Sequence, residues 1–445
     1  MSLRHLAIEA TNLTEGMYVS RLDRPWHETP FLFQGFEIRE KSEIDLLRQY
    51  CRTVYVDVDR CDDSDSVRRR LRQAQYASRS SVPEPPSRKA RKDPGLTQRW
   101  LGRFFLRFGM YEKAAAVTAD TSETYPIQTT VRAESDSARE AYEKLAAHHK
   151  DMVAMATVKS TVRMGALRRA VQPAIESVLR NPNALAWTVF SRKRSNEDYN
   201  RSVGTAIWCL LFGRQLGFKR EMLDDLAVGG MLLDIGNARI PPSYAEKEGA
   251  IESDTYEALK KHVELGIEIL ECSQGVTERV YDMVRCHHER ADGSGYPQKL
   301  RGSEIPAFGR IAGIADCYDA MTTVTPYSPP MAAYDAAREL NDMRGKSFAA
   351  EVVEQFLATV GMFPVASIVE LSDSSVAVVL EQNPGNKLKP KVLLMIDRNG
   401  QPLPEPKIVE MRELPIDVTH PSALWIAQGH EHGAFGVDPL RIFRT

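Results

Sequence analysis

Apolar and polar positions change period several times along this chain of 445 residues. In residues 1–60, Gly16–Val19 and Thr53–Val58 alternate or carry β-branched side chains, which predicts strands. Ile44, Leu46, Leu47 and Tyr50 fall on one helical face and predict an amphipathic helix over Lys41–Arg52. Residues 61–97 lose periodicity: SRSSVPEPPSRKARKDPG is rich in Ser, Pro, Lys and Arg, the composition of a disordered linker. From 98 to 190 the spacing turns helical, over Ala133–His149 and Ala154–Leu179. It stays helical to about 360, over Ser202–Leu216, Arg220–Leu233, Ser253–Cys272, Thr277–Cys286, Ile311–Thr322 and Ala332–Met343. After 361 the period becomes two. Ser367–Leu371, Ser375–Leu380 and Lys391–Met395 read as strands, with Asn399-Gly400 as a tight turn.

The expected fold class is multidomain and mainly α. It comprises a small α+β N-terminal domain of regulatory type (1–60), the linker (61–97), a helical connector (98–190), a helical bundle (191–360) and a small β-rich extension (361–445). The long helices of the connector allow a homodimer or a signal relay, and equally a plain scaffold.

Composition narrows the function classes. Net charge is −2, so no global field attracts nucleic acid. The basic run Arg88–Lys92 has no interleaved aromatics and reads as solvated linker, which leaves a nucleic-acid role without support. No run of about 18 apolar residues predicts a transmembrane segment, and the start of the chain lacks a signal-peptide pattern. The six cysteines are scattered without a C-x-x-C pair, as suits a cytoplasmic protein.

Candidate chemistry concentrates in the bundle. His262 lies in KKHVELGIEIL, His287 and His288 are adjacent in VRCHHERADGSGYP, Asp234 lies in MLLDIGNARIP and Asp316 in GIADCYDAM. Imidazoles and carboxylates from separate helices are how a bundle builds a metal site. Adjacent helical histidines point about 100° apart, so they serve one metal only at a helix end, or one of them supports the other. Each residue also has a plain alternative: a helical His is commonly a core or surface group, and an Asp near Gly a cap or turn.

The string HHERADGSGYPQKLRGSEIPAFGRIAGIADCYDAMTT resembles the HD-GYP family of metal-dependent phosphodiesterases, which open or fully hydrolyse cyclic di-GMP. The segment EGMYVSRLDRPWHETPFLFQGF is similar to an uncharacterised domain often found ahead of HD-GYP domains. The resemblance implies a helical HD-type bundle around a two- or three-metal centre. It implies Asp234, the remnant of the catalytic His-Asp pair, as a bridging ligand. Further ligands would be His262, His287, His288, Asp316 and Glu197. It also implies Gly295, Tyr296 and Pro297, with Arg290, as a substrate or partner loop.

Three positions depart from the family pattern. The His of the His-Asp pair is Leu233, the phosphate-contacting Lys is Asn237, and an earlier ligand His is Arg201. Leucine cannot ligate, and a guanidinium has no lone pair to offer. The reading is therefore one divalent metal at most (Fe, Mn or Zn), held by Asp234, His262, His287 and His288. Arg201 would replace the other cation by pairing with Asp234, Asp316 or Glu197, and on a continuous helix Glu197 and Arg201 would share a face.

The expected function is a degenerate HD-GYP protein of cyclic-di-GMP signalling, weak or inactive in hydrolysis, acting through protein contacts or nucleotide sensing. Its expected partners are cyclic di-GMP and a GGDEF-type diguanylate cyclase or another signalling protein. The alternative is an active phosphodiesterase giving pGpG or GMP. Arg290, Lys299 and Arg301 remain as basic groups beside the loop, while Thr325 and Ser328 stand where the family carries arginines.

Overall fold

The computed structural model describes residues 5–23, 36–38, 41–58, 61, 67, 71, 124–195, 199–245, 253–324, 330–383, 389–414, 424–430, 433–439 and 442. Contacts divide the chain into two units, one built mainly from Met1–Pro94 and one from Gly95–Asn383 with most of the C-terminal residues.

In the first unit, β1 (His5–Glu9), β2 (Tyr18–Leu22), β3 (Phe36–Glu37) and β4 (Thr53–Asp57) form an antiparallel sheet in the order β1-β4-β2-β3. Val54 and Val56 of β4 are fully buried while Thr53 and Tyr55 are half-exposed, the alternation the pattern predicts. Ile44 and Leu47 of α1 (Lys41–Tyr50) pack into the same core.

The second unit holds the bundle. It runs α2 (Val131–Lys159), α3 (Met164–Arg180), α4 (Pro182–Ser195), α5 (Arg201–Gln215) and α6 (Arg220–Leu232). A 3-10 turn at Ile235–Arg239 follows, then α7 (Ser253–Lys260), α8 (His262–Glu271), α9 (Glu278–Cys286), α10 (Ala307–Met321), α11 (Ala333–Asp342) and α12 (Ala350–Val360). α5 is buried from Ser202 to Gly213 on all sides, which marks it as the central helix. Asp225, on α6, is clamped by Arg168 of α3 at 3.0 Å and Arg279 of α9 at 2.6 Å, tying three helices together.

Two helices expected as continuous are broken. Ala154–Leu179 is interrupted because α2 ends at Lys159, where Ser160 turns to φ +48°. Buried Ser273 accepts the Val162 N–H at 2.8 Å, a tertiary bond that fixes the break. Ser253–Cys272 is divided at Lys261, and His262 opens the second piece.

Beyond the bundle, β5 (Ile368–Leu371), β6 (Val376–Glu381), β7 (Lys391–Ile396), β8 (Pro402–Glu410) and β9 (Ile426–His430) form an antiparallel sheet in the order β8-β7-β6-β5-β9. Central β6 is buried from Val376 to Leu380, as an apolar run covered on both faces should be. Gly400 takes φ +76° in the turn between β7 and β8. The sheet is fastened to α4: Trp187 donates to the Leu380 carbonyl at 2.7 Å, and the Gln382 N–H donates to Asn183 at 3.2 Å.

Candidate metal centre

Four side chains from three segments converge. The ligand atoms of Asp234, His262, His287 and His288 all lie within 4.8 Å of one another. Asp234 follows α6 and caps the 3-10 turn. That turn lies flush against α8 because Gly236 has no side chain: a Cβ there would meet the Gly266 nitrogen at 2.6 Å and strike the His262 carbonyl oxygen. α9 ends at Cys286, so His287 caps the helix and His288 already belongs to the following turn. Leaving the helix is what lets two adjacent imidazoles face one place, with ring centroids 4.1 Å apart.

The donor set fits a divalent cation. His262 Nδ1 lies 2.7 Å from the Leu259 carbonyl and His287 Nδ1 lies 2.9 Å from that of Val284. Carbonyls only accept, so both protons sit on Nδ1, and both Nε2 atoms present lone pairs. Those Nε2 atoms stand 3.2 Å apart, with Asp234 Oδ1 3.4 Å from that of His262. Two facing lone pairs beside a carboxylate repel unless a cation joins them. Three imidazoles and one carboxylate suit Zn, Fe or Mn, and when bound such an ion would polarise a phosphoryl oxygen and acidify a water.

Electrostatics keep these groups in ligating form. Burial, together with the His262 neighbour, pushes His287 down to about 3, and His288 is driven well below the usual imidazole range by burial and His287. Burial opposes the charge on Asp234, but the Arg201 guanidinium and the nearby histidines hold its carboxyl below the ordinary value. An unfolded histidine takes up its proton near pH 6.5, so between about 6.5 and 3 the unfolded chain binds protons that the native site refuses. Stability from His287 is therefore full above about 6.5 and falls as pH drops, by about 2 kcal/mol at pH 5. Thermal melts of chelator-treated protein should show a lower midpoint at pH 5 than at 7.5; an unchanged midpoint would contradict this burial.

Arg201 and Asp316 are joined beside the cluster. Arg201 is the first residue of α5 and its Nη2 donates to Asp316 Oδ1 at 2.6 Å. Burial pushes the Asp316 carboxyl upward, the Arg201 guanidinium opposes that shift, and the Asp234 and Asp319 carboxylates add to it. Glu197 lies outside the described residues, as do Thr325 and Ser328. Asn200 has extended backbone and caps α5, so that helix begins at Arg201. Leu233 is buried, and Asn237 lies in the 3-10 turn, exposed.

The loop after the histidines is organised by buried Glu289, which accepts the Gln298 and Leu300 N–H groups at 2.7 and 2.9 Å. Gly295 is needed there, since a Cβ would run into the backbone of Arg290 and Glu289. Tyr296 stacks on His288 with centroids 4.6 Å apart, while Pro297, Lys299 and Arg301 are exposed. Arg290 turns back to donate to the His287 carbonyl at 3.0 Å.

Other residues around the site had no motif to reveal them. Asp319, one turn after Asp316, accepts from Tyr199 at 2.6 Å, Trp208 at 2.9 Å and Lys193 at 2.7 Å. His149, on α2, lies close enough to Asp234 to feel its charge.

A family model described as "HD domain" matches residues 181–352, one described as a domain of unknown function (DUF3391) matches 5–167, and a KOW domain associated with HD domain matches 368–416. Residues 181–352 thus carry an HD domain. This HD-domain chain is 32% identical over 231 residues to the cyclic di-GMP phosphodiesterase PA4108 of Pseudomonas aeruginosa, covering 52% of this chain and 55% of that protein. It is 35% identical over 144 residues to a cyclic di-GMP phosphodiesterase of Thermotoga maritima, covering 32% of this chain and 39% of that one. The chain thus spans about half the length, or less, of these curated relatives. A solved HD-GYP-type protein, Bd1817 of Bdellovibrio bacteriovorus, aligns with 79% of this chain and 98% of its own at 14% identity and a TM-score of 0.37. Among the described residues, no helix is long and apolar enough to cross a membrane.

Proposed function

We propose that this HD-domain protein works in cyclic-di-GMP signalling as a degenerate member that binds the dinucleotide with weak or no hydrolysis. The observation that carries this reading is the Arg201–Asp316 ion pair at 2.6 Å. A fixed guanidinium sits on the carboxylate that a second metal would need, and a guanidinium repels a divalent cation. Asp234, His262, His287 and His288 remain to hold one metal. That ion would anchor a phosphoryl oxygen, while Arg201 supplies a permanent positive charge beside it.

Hydrolysis by a two-metal centre needs charge stabilisation on both the attacking and the leaving oxygen. Losing one such stabiliser costs on the order of 10²–10³ in rate. The exposed Pro297 leaves the loop open to a protein partner, for which a GGDEF-type diguanylate cyclase is the proposed class. The relatives named as cyclic di-GMP phosphodiesterases favour a second reading, an active enzyme.

One experiment separates the two. Protein purified without chelator is analysed for metal and incubated with cyclic di-GMP, with products resolved by chromatography. About one metal per chain and turnover at least about 100-fold below the Thermotoga maritima relative are expected. Mn- or Fe-dependent conversion to pGpG at the relative's rate would overturn the degenerate reading.

A further inference from the structure

His149 lies on α2, outside the residues matched as HD domain and inside those matched as DUF3391. Its Nδ1 is 2.7 Å from the side-chain nitrogen of Asn200. An amide nitrogen only donates, so Nδ1 accepts and the neutral ring carries its proton on Nε2. The amide cannot turn round. Its Oδ1 accepts the Val203 N–H at 3.2 Å as the cap of α5, and the Asn200 N–H itself is held by Tyr142 at 3.0 Å. A metal ligand must offer a lone pair, and here Nε2 offers a proton. His149 is thus a fixed hydrogen-bond donor, in contrast to His262 and His287, whose Nδ1 atoms face carbonyls.

The donor stands beside the metal cluster. α2 packs along the 3-10 turn that follows Asp234, where Thr157 of α2 donates to the Ala238 carbonyl at 3.3 Å. The charge of Asp234 acts on the His149 ring, and burial keeps that ring neutral, pushed down to about 4. No acceptor among the described residues bonds its Nε2. The residue after Asn200 is Arg201, whose Nη2 is taken by Asp316 but whose Nε–H is buried with no acceptor among the described residues. A buried donor is costly to leave without an acceptor, so an oxygen from water or a ligand fits there.

We propose that His149 Nε2–H, with Arg201 Nε–H, binds a non-bridging phosphoryl oxygen of the nucleotide, in place of the lysine that Asn237 replaces. The inference rests on the nucleotide-binding reading above. It makes the HD centre incomplete without a side chain from the preceding region, and it assigns Asn200 as the positioning residue that sets the tautomer.

The test is titration of the full metal-loaded chain with cyclic di-GMP by calorimetry. His149→Phe removes the donor and is expected to weaken binding about tenfold or more. His149→Gln, whose amide can donate from a similar place, should stay within about threefold of the parent. Long-range ¹H–¹⁵N correlation spectra of the parent should identify His149 as the Nε2–H tautomer, a signature that a merely structural histidine need not show. Parent-like affinity in a folded His149→Phe, or an Nδ1–H tautomer, overturns the inference while leaving nucleotide binding intact. Should His149→Phe not fold, His149→Leu takes its place. Absence of any cyclic-di-GMP binding by the parent overturns the nucleotide reading, and this inference with it.

Discussion

Arg201→His is expected to destabilise the metal-free protein by about 2–4 kcal/mol and to let a second divalent ion bind. The guanidinium is the counter-charge of buried Asp316, and removing one partner of such a pair leaves an uncompensated charge, at a cost of about 3–5 kcal/mol when both partners are fully buried. Arg201 is partly exposed, with 38% of its side-chain surface accessible, so the expected loss is smaller than for a fully buried pair. The new imidazole offers a lone pair where the parent offers only N–H groups. With Asp316 and Asp234 it would make a three-donor position, and an ion at about 100 times its dissociation constant restores about 2.7 kcal/mol. Elemental analysis should rise from about one metal per chain towards two, and the thermal midpoint should recover when Mn²⁺ is added. A variant as stable as the parent without metal, with unchanged metal content, would show that Arg201 does not occupy a cation's place.

Gly236→Ala tests the other half of the construction. Asp234 caps the Ile235–Arg239 turn and His262 opens α8, and the two segments touch through backbone at this glycine. The atoms a methyl would strike are the His262 carbonyl and the Gly266 nitrogen, neither of which can rotate away. Overpacking of this kind costs about 1–3 kcal/mol or more, and a rigid backbone neighbour puts the expectation near 3 kcal/mol. For a domain of this size that is a fall of roughly 6–12 °C in thermal midpoint. The same displacement separates two metal ligands, so metal affinity should fall with stability. A variant that melts like the parent and keeps its metal would show that the turn and α8 have room the geometry denies.

Much of the bundle was legible from periodicity, because the apolar stripe of each helix reports directly on its buried face. The helix breaks at Ser160 and Lys261 were not, since both helix-forming patterns continue through them. The first is fixed by Ser273, more than a hundred residues away, and the second leaves His262 at a helix start with its Nδ1 on the Leu259 carbonyl. The site residues divide in the same manner. Asp234, His262, His287 and His288 stand in strings that carry the resemblance to HD-GYP proteins, and the resemblance, not residue type alone, implied them as ligands. Asp319 and Lys193, a buried pair at 2.7 Å, announce nothing, because an aspartate and a lysine 126 positions apart look like ordinary surface charges until the fold removes their water.

Arg201 shows where residue type ends and folding begins. The chain chemistry establishes that position 201 offers no lone pair and that a cation there competes with a metal for carboxylates. It left three acids open as its partner. Among the described residues the guanidinium bonds Asp316, because the Asn200 cap starts α5 at Arg201 and brings it to α10. His149 is the reverse case: nothing near it in the chain marks it, and its role as a donor depends on an amide held in one orientation by a helix cap. Residue identity sets which atoms can donate, accept or ligate. Which of them meet, and in which protonation state, is set by distant backbone and by burial, and neither has a local signature.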